Sequence, residues 1–347
     1  MNISFAHLGH EECEICENHK LHDVSHSREN LDPNYKICKS WQVHKEKYTN
    51  AREAYKEDVK KSKMISDTLF FSADLQKVIM LPRIEMFKSV IFTPRIIAFN
   101  ESFVPLGTNP KFKPVATLWH EVVAGRKKEE IISCFHQFFI LHWDSPKIAF
   151  ISFLIYIVNS TEIESKEIRL KFFEKGHTFM SADSFHHQVE IALKLKKKVY
   201  DFNDFCDGVK TANSSRVLVK EMRIEDFSIW SDLASQTALK KMKPRPYLSE
   251  IAEVKVVRGS HKMMYNNEFE HDYTEIDFLQ KKYAKTGCPK SSPVQNCREI
   301  TSEKKRKTFK SIVRNYACIK VEFLEKFASF GKCERPNNPF RMIFYIL

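Results

Sequence analysis

The sequence has no apolar stretch long enough to cross a membrane. Its longest, Ile148 to Val158, falls short of the roughly 20 residues a spanning helix needs and suits a buried core element. The opening Met1-Asn-Ile-Ser-Phe-Ala-His-Leu has no basic segment followed by an apolar one, so secretion is not indicated. Glycine is scarce, with 8 in 347 residues. There is no Gly-rich phosphate loop, no nucleophile elbow, and no convincing Ser/His/Asp or Cys/His arrangement. The nine cysteines are odd in number and scattered, which fits reduced intracellular thiols better than a disulfide framework. These absences lead us to expect a soluble intracellular chain with no membrane partner.

What is abundant is positive charge. Lys and Arg total 56 against 44 Asp and Glu, giving +12 and a pI near 9.1. Such an excess favours polyanions, nucleic acid first, with a merely soluble basic surface as the plain alternative. The basic residues fall in runs: Lys60, Lys61 and Lys63; Arg126 to Lys128; Lys194 and Lys196 to Lys198; Lys240, Lys241, Lys243 and Arg245; Lys304 to Lys307. Runs of this kind track phosphates, and the last also reads as a nuclear-localisation signal, which places the nucleus ahead of the cytoplasm. No groove-reading motif accompanies them, so nonspecific binding is expected, to DNA ahead of RNA.

At 43% hydrophobic the chain can bury a core, and its length allows about two domains. Composition divides it into a Cys/His-rich region (1–45), a charged helical linker (46–67), a core of alternating strands and helices (68–209), a small α+β extension (210–285) and a linker with an atypical tail (286–347). In the core, Leu69 to Leu81 reads as a strand ended by Pro82, and Ser89 to Phe99 and Glu101 to Leu106 as two more. Lys127 to His142 and Ser181 to Lys198 read as helices, and Ile168 to Phe173 as a strand. Farther on, Val217 to Met222 is a strand candidate, Ala252 to Tyr265 a hairpin turning at Gly259, and Asp277 to Ala284 a short helix.

Asp74 is the most informative residue. It interrupts an apolar strand, and the two-residue period puts Ser72, Asp74 and Gln76 on one face. A carboxylate in a buried strand needs a metal, a cation or donors to offset its desolvation. An edge-strand Asp, or one paired with Lys77 or Arg83, is the plain alternative. The second cluster lies in Gly176-His-Thr-Phe-Met-Ser-Ala-Asp-Ser-Phe-His-His-Gln-Val-Glu190. There Asp183 and His187 stand four apart on one helix face, and His186 and Glu190 share the neighbouring one. An acid beside an imidazole can bind a divalent metal or relay a proton; a helix cap with incidental histidines is the alternative.

Cys13-Glu-Ile-Cys16 has zinc-knuckle spacing. Cys38 is the only nearby third cysteine, and His19, His22, His26 and His44 are available, so Cys13, Cys16, Cys38 and a histidine (His44 is our choice) form a candidate Cys₃His zinc site. Tyr35 stands where a second Cys-x-x-Cys would begin, so a degraded site is the alternative. Trp119-His120-Glu121, before Gly125-Arg126 and a helix, reads as a loop that could contact substrate, with a structural His-Glu pair as the plain alternative.

Several stretches together resemble a domain-of-unknown-function family of transposable-element-derived animal proteins. They are Phe71-Ser-Ala-Asp-Leu-Gln-Lys-Val-Ile-Met-Leu-Pro-Arg83, Leu118-Trp-His-Glu121 through Gly125-Arg126, Leu154-Ile-Tyr-Ile-Val-Asn-Ser160, and Phe173 through Glu190. The resemblance extends through Arg245-Pro-Tyr-Leu248 and covers about Leu8 to Lys307. It implies an RNase H-like, transposase- or integrase-type core: an α/β fold with a mixed sheet flanked by helices. In such a core, acids on the first strand, the fourth strand and a later helix hold two Mg²⁺ or Mn²⁺ ions for phosphodiester chemistry. The resemblance assigns the first position to Asp74 and the last to Asp183, with His177 and His187 as neighbours.

The middle position breaks the pattern. Phe139-Ile-Leu-His-Trp-Asp-Ser-Pro-Lys147 runs almost directly into Ile148, leaving about five residues where a loop, a central strand and another loop would be needed. Asp144 is the only acid there, and Asp-Ser-Pro reads as a turn. We therefore expect a core lacking one central strand, with Ile148 to Val158 able to enter the sheet as a repair, and a catalytically inactive relative of a nuclease or transposase. The tail, ending Pro339-Phe-Arg-Met-Ile-Phe-Tyr-Ile-Leu347, departs from the family. A nucleic-acid- or protein-binding module without catalysis is the second expectation, and a degenerate, pseudogene-like product the third.

Overall fold

The computed structural model describes residues 13–25, 36–65, 67–84, 95–107, 112–142, 150–159, 165–239, 246–247, 250–269, 271–286, 291–298 and 341–346. Ten strands among them form one sheet. They are β1 (Thr68–Leu75), β2 (Ile79–Leu81), β3 (Ile96–Pro105), β4 (Val115–His120) and β5 (Glu167–Phe172). β6 (Leu218–Glu221), β7 (Glu253–Val257), β8 (Lys262–Asn266), β9 (Thr274–Asp277) and β10 (Arg341–Ile346) complete it. Across the sheet the order is β9-β8-β7-β5-β10-β1-β3-β4-β6, with β2 beside β3. β1, β3 and β4 run antiparallel in sequence, whereas β10 is parallel to both of its neighbours, β1 and β5. A mixed sheet flanked by helices is the architecture expected from the sequence.

The helices are α1 (Glu14–Ser25), α2 (Lys36–Met64), α3 (Lys128–His142), α4 (Phe150–Asn159), α5 (Ser181–Lys196) and α6 (Phe202–Lys210). The two-residue period of β1 divides its side chains between two cores. Phe71 and Ala73 join Phe135, Phe138 and Phe139 of α3 and Leu154, Ile155, Ile157 and Val158 of α4. Phe70 joins Ala51 and Tyr55 of α2, Phe185, Val189 and Leu193 of α5, and Phe205 of α6. A sheet covered on both faces explains why its central strands read as nearly continuous apolar runs.

Several expectations change. Leu69 to Leu81 is broken into β1 and β2 by three residues outside strand geometry. Glu101 to Leu106 is not a separate strand; a single long β3 runs from Ile96 to Pro105, and residues 89–94 lie outside the described set. β4, Val115–His120, follows β3 in the meander, so Trp119 and His120 end a strand rather than occupy a loop. Glu121 then accepts from the Ile97 amide at 2.9 Å, a structural role. α2 crosses the boundary drawn at residue 45 as one helix of 29 residues. Residues 274–277 are a strand, and the helix beyond starts only at Lys281.

The central slot is filled, but not by the expected segment. Phe150–Asn159 is a helix against the sheet, and the tail supplies the strand instead. β10 lies between β1 and β5 with Thr68 opposite Arg341 on one side and Glu167 opposite Arg341 on the other. Its side chains suit burial on two faces. Phe344 meets Phe71, Phe135, Phe138 and Phe139 at ring-centroid distances of 5.7–5.9 Å. Tyr345 turns the other way, edge-on to Tyr55 at 4.7 Å. Its hydroxyl donates to Asp58 at 2.9 Å, where Lys171 also donates at 2.7 Å. Burial, then the Asp58 charge, pushes the Tyr345 phenol far up, so it stays a donor. Residues 143–149, including Asp144, lie outside the described set.

A strand this buried should dominate stability. Phe344→Ala is expected to cost about 3–5 kcal/mol of unfolding free energy. Deleting residues 339–347 is expected to abolish the cooperative thermal transition followed by circular dichroism. A deleted chain that melts as the intact one does would put β10 outside the folded core.

Candidate functional site

The sheet face beneath α5 carries polar side chains where a core would normally be apolar. Ser72, Asp74 and Gln76 leave the same face of the first strand's path, and antiparallel register adds Ser102 opposite Asp74. Gln76 accepts from Asn100 at 2.8 Å, Ser102 donates to Asn100 at 3.0 Å, and Gln76 reaches Glu190 of α5 at 3.4 Å. Glu190 also pairs with Arg83 at 2.8 Å.

The start of α5 is held onto this face by side chains rather than by an ordinary capping residue, because Met180 precedes it. The Ser181 amide donates to the Tyr55 hydroxyl at 2.8 Å, and the Ala182 amide to the Ser72 hydroxyl at 2.9 Å. Asp183 accepts from the Met180 amide at 2.7 Å, satisfying a donor that the helix start leaves open. This seating brings Asp74, Asp183 and His186 together, with one ligand atom from each within 4.8 Å of the others. His186 Nδ1 lies 3.5 Å from an Asp74 carboxylate oxygen, while its Nε2 is buried with no hydrogen-bond partner among the described residues.

The electrostatics follow from burial. Desolvation, then the Asp183 charge, raises the Asp74 carboxyl to about 7. Desolvation lowers His186 to about 4. Glu101, buried in β3, is pushed well above the usual carboxylate range by burial and then by Asp74. Two carboxylates and an imidazole in this setting could hold a divalent cation, which would offset the repulsion between Asp74 and Asp183.

Asp74 and Asp183 come together. Their histidine neighbour is His186; His187 points to solvent. His177 lies in a different group, with Cys13, Cys16 and His44, again with ligand atoms within 4.8 Å of one another. That group could also hold a metal. Cys38 is not part of it, so His177 takes the place that the sequence reading gave to a third cysteine. Helical spacing puts His186 and His187 equally near Asp183; only the packing of Phe185 and Val189 into the core decides between them.

Comparison with protein-family models, curated proteins and solved structures finds no match to this chain.

Asp74 carries a pH signature. Its folded pKa of about 7 lies above the 3.8 of the free group. It therefore costs nothing below pH 3.8, costs progressively more as pH rises, and applies its full penalty above about 7. Asp74→Asn is expected to stabilise the metal-free chain at pH 8 by at most about 4 kcal/mol. The gain should shrink toward zero near pH 4, read as urea midpoints in EDTA. A gain that does not depend on pH would assign the effect to something other than this carboxylate.

Proposed function

We propose that this chain is a mobile-element-derived protein with an RNase H-like, transposase- or integrase-type core that engages nucleic acid, DNA in preference to RNA, and no longer cleaves it. One observation carries the reading. The acid of the first strand and the acid of the later helix converge under α5, while the strand beside β1 that would bring the middle acid, Arg341-Met-Ile-Phe-Tyr-Ile346, contains none. The meander β1-β3-β4 continuing into parallel β10 and β5 supports the core type.

A Mg²⁺ or Mn²⁺ ion at Asp74 and Asp183 would supply electrostatic activation of water and stabilisation of a leaving oxygen. The residues fit one cation better than two, because two carboxylates and one imidazole are too few donors to clamp a pair. The arrangement is also shut: the side chains of Asp74 and His186 are each only 11% exposed. His186, lowered to about 4, is neutral near pH 7 and suited to ligation rather than to charge pairing.

Binding without cleavage draws on the charge. Lys60, Lys61 and Lys63 at the end of α2, Arg126 to Lys128, and Lys194, Lys197 and Lys198 are exposed, and the net charge is +12. The runs at Lys240–Arg245 and Lys304–Lys307 lie outside the described residues, and the latter supports a nuclear placement. Among the described residues no helix is long and apolar enough to cross a membrane.

The test pairs binding with cleavage. The purified chain is expected to bind DNA with an affinity that falls steeply between 50 and 200 mM salt, by about 10³-fold if six or more phosphates are contacted. Neither DNA nor RNA should be cut in Mg²⁺ or Mn²⁺. Metal-dependent cutting that disappears in Asp74→Ala would overturn the inactivity. Absence of binding at low ionic strength would overturn the nucleic-acid role.

A further inference from the structure

Cys13 and Cys16 lie at the start of α1, one helical turn apart, and the two helices are stapled by His19 stacked on Trp41 with ring centroids 3.9 Å apart. His44 projects from α2. His177 comes from the loop between β5 and α5, far along the chain. Cys13 Sγ is 3.1 Å from His44 Nε2, and Cys16 Sγ is 3.4 Å from His177 Nε2. In a tetrahedral zinc site with Zn–S about 2.3 Å and Zn–N about 2.0–2.1 Å, sulfur and nitrogen ligands lie about 3.5 Å apart. The observed pairs sit close to that spacing.

The surroundings are built for such a site. His44 presents Nε2 to the cysteines while its Nδ1 meets Glu174 at 3.1 Å, the carboxylate–histidine pairing that fixes the tautomer and orientation of a ligating imidazole. His177 is held by Tyr48, stacked at 3.9 Å with 13° between the rings. Gly176 has φ +81°, and a Cβ there would lie 2.9 Å from Cys13 Cβ. Glycine at this position lets the loop approach the cysteines closely enough for His177 to join them. Two thiols and two imidazoles are a donor set for Zn²⁺, not for the oxygen-seeking Mg²⁺ or Ca²⁺. With four protein ligands the coordination is complete, so the site is structural and leaves no position for substrate.

We propose that Cys13, Cys16, His44 and His177 bind one zinc ion, and that this ion clamps the N-terminal helical pair to the loop leading into α5. The clamp is independent of whether the Asp74 site cleaves anything. Its mechanical target is nonetheless close to that site, because the same loop runs on to Met180, whose amide Asp183 holds. α2 grips the loop again about two to three turns beyond His44: Arg52 donates to the Phe179 carbonyl, and the Tyr55 hydroxyl is 2.8 Å from Ser181 Oγ.

The full chain, expressed with zinc supplied, should contain one zinc per chain by elemental analysis. Its zinc-edge X-ray absorption should show two sulfur and two nitrogen neighbours. Cys38→Ser should keep the metal in full; Cys16→Ser and His177→Ala should each lose most of it. Chelation should speed amide exchange over residues 174–180 and leave β7 and β8 unchanged. Three sulfur neighbours, or loss of zinc in Cys38→Ser, would overturn the ligand set. A zinc-free wild-type chain would overturn the site, and unchanged exchange over 174–180 would overturn the clamp. Should His177→Ala fail to fold, the absorption count on the wild-type chain decides the ligand set by itself.

Discussion

β1 and β5 face each other across a gap one strand wide, and every amide and carbonyl along the gap needs a partner. Buried backbone groups left unpaired cost about as much as lost hydrogen bonds, so neither the meander on one side nor the β5-β7-β8-β9 arm on the other is a finished structure. β10 joins the two into one sheet. Its contribution is more than backbone pairing. Phe344 completes the aromatic cluster under α3, and Tyr345 completes the buried Asp58–Lys171 pair that ties α2 to β5. Without that hydroxyl, a buried carboxylate would lose one of its donors.

The seating of α5 depends on this closed sheet. Ser72 and Tyr55, from β1 and α2, take two of the first-turn amides, and Asp183 takes the Met180 amide. Asp183 thus has a structural role as well as its place beside Asp74, so the two acids stay together whether or not a cation is bound. Burial first, and the Asp183 charge second, make this position costly for an ionised Asp74, and the seating keeps the acidic pair preformed.

Much of the fold was legible because its periods are simple. Alternation in β1 placed Ser72, Asp74 and Gln76 on one face, and helical spacing exposed α3 and α5. Gly259 turned the β7–β8 hairpin, with φ +83°. The illegible parts are those set at a distance. The sequence offers Cys38 as the natural third cysteine near Cys16, whereas the structure brings in His177 across 161 positions. His186 and His187 differ only by the rotation of α5, which the buried Phe185 and Val189 determine. The tail looked foreign because the resemblance carried by the earlier stretches does not reach it. A central strand asks only for side chains that are apolar on both faces and one hydroxyl in the right place.

β10 also makes the strand pairs of longest sequence separation among the described residues. Its register joins residue 68 to residue 341 and residue 167 to residue 341, contacts of very long range. Loop closure of that kind is slow, whereas the β1-β3-β4 meander and the β7-β8-β9 hairpins are local. Until β10 docks, β1 and β5 each present an open edge. In that interval the gap does not distinguish its own last strand from the same strand of a neighbouring molecule, and at high concentration the two compete. The strand that makes the sheet whole is also the one through which two chains can exchange.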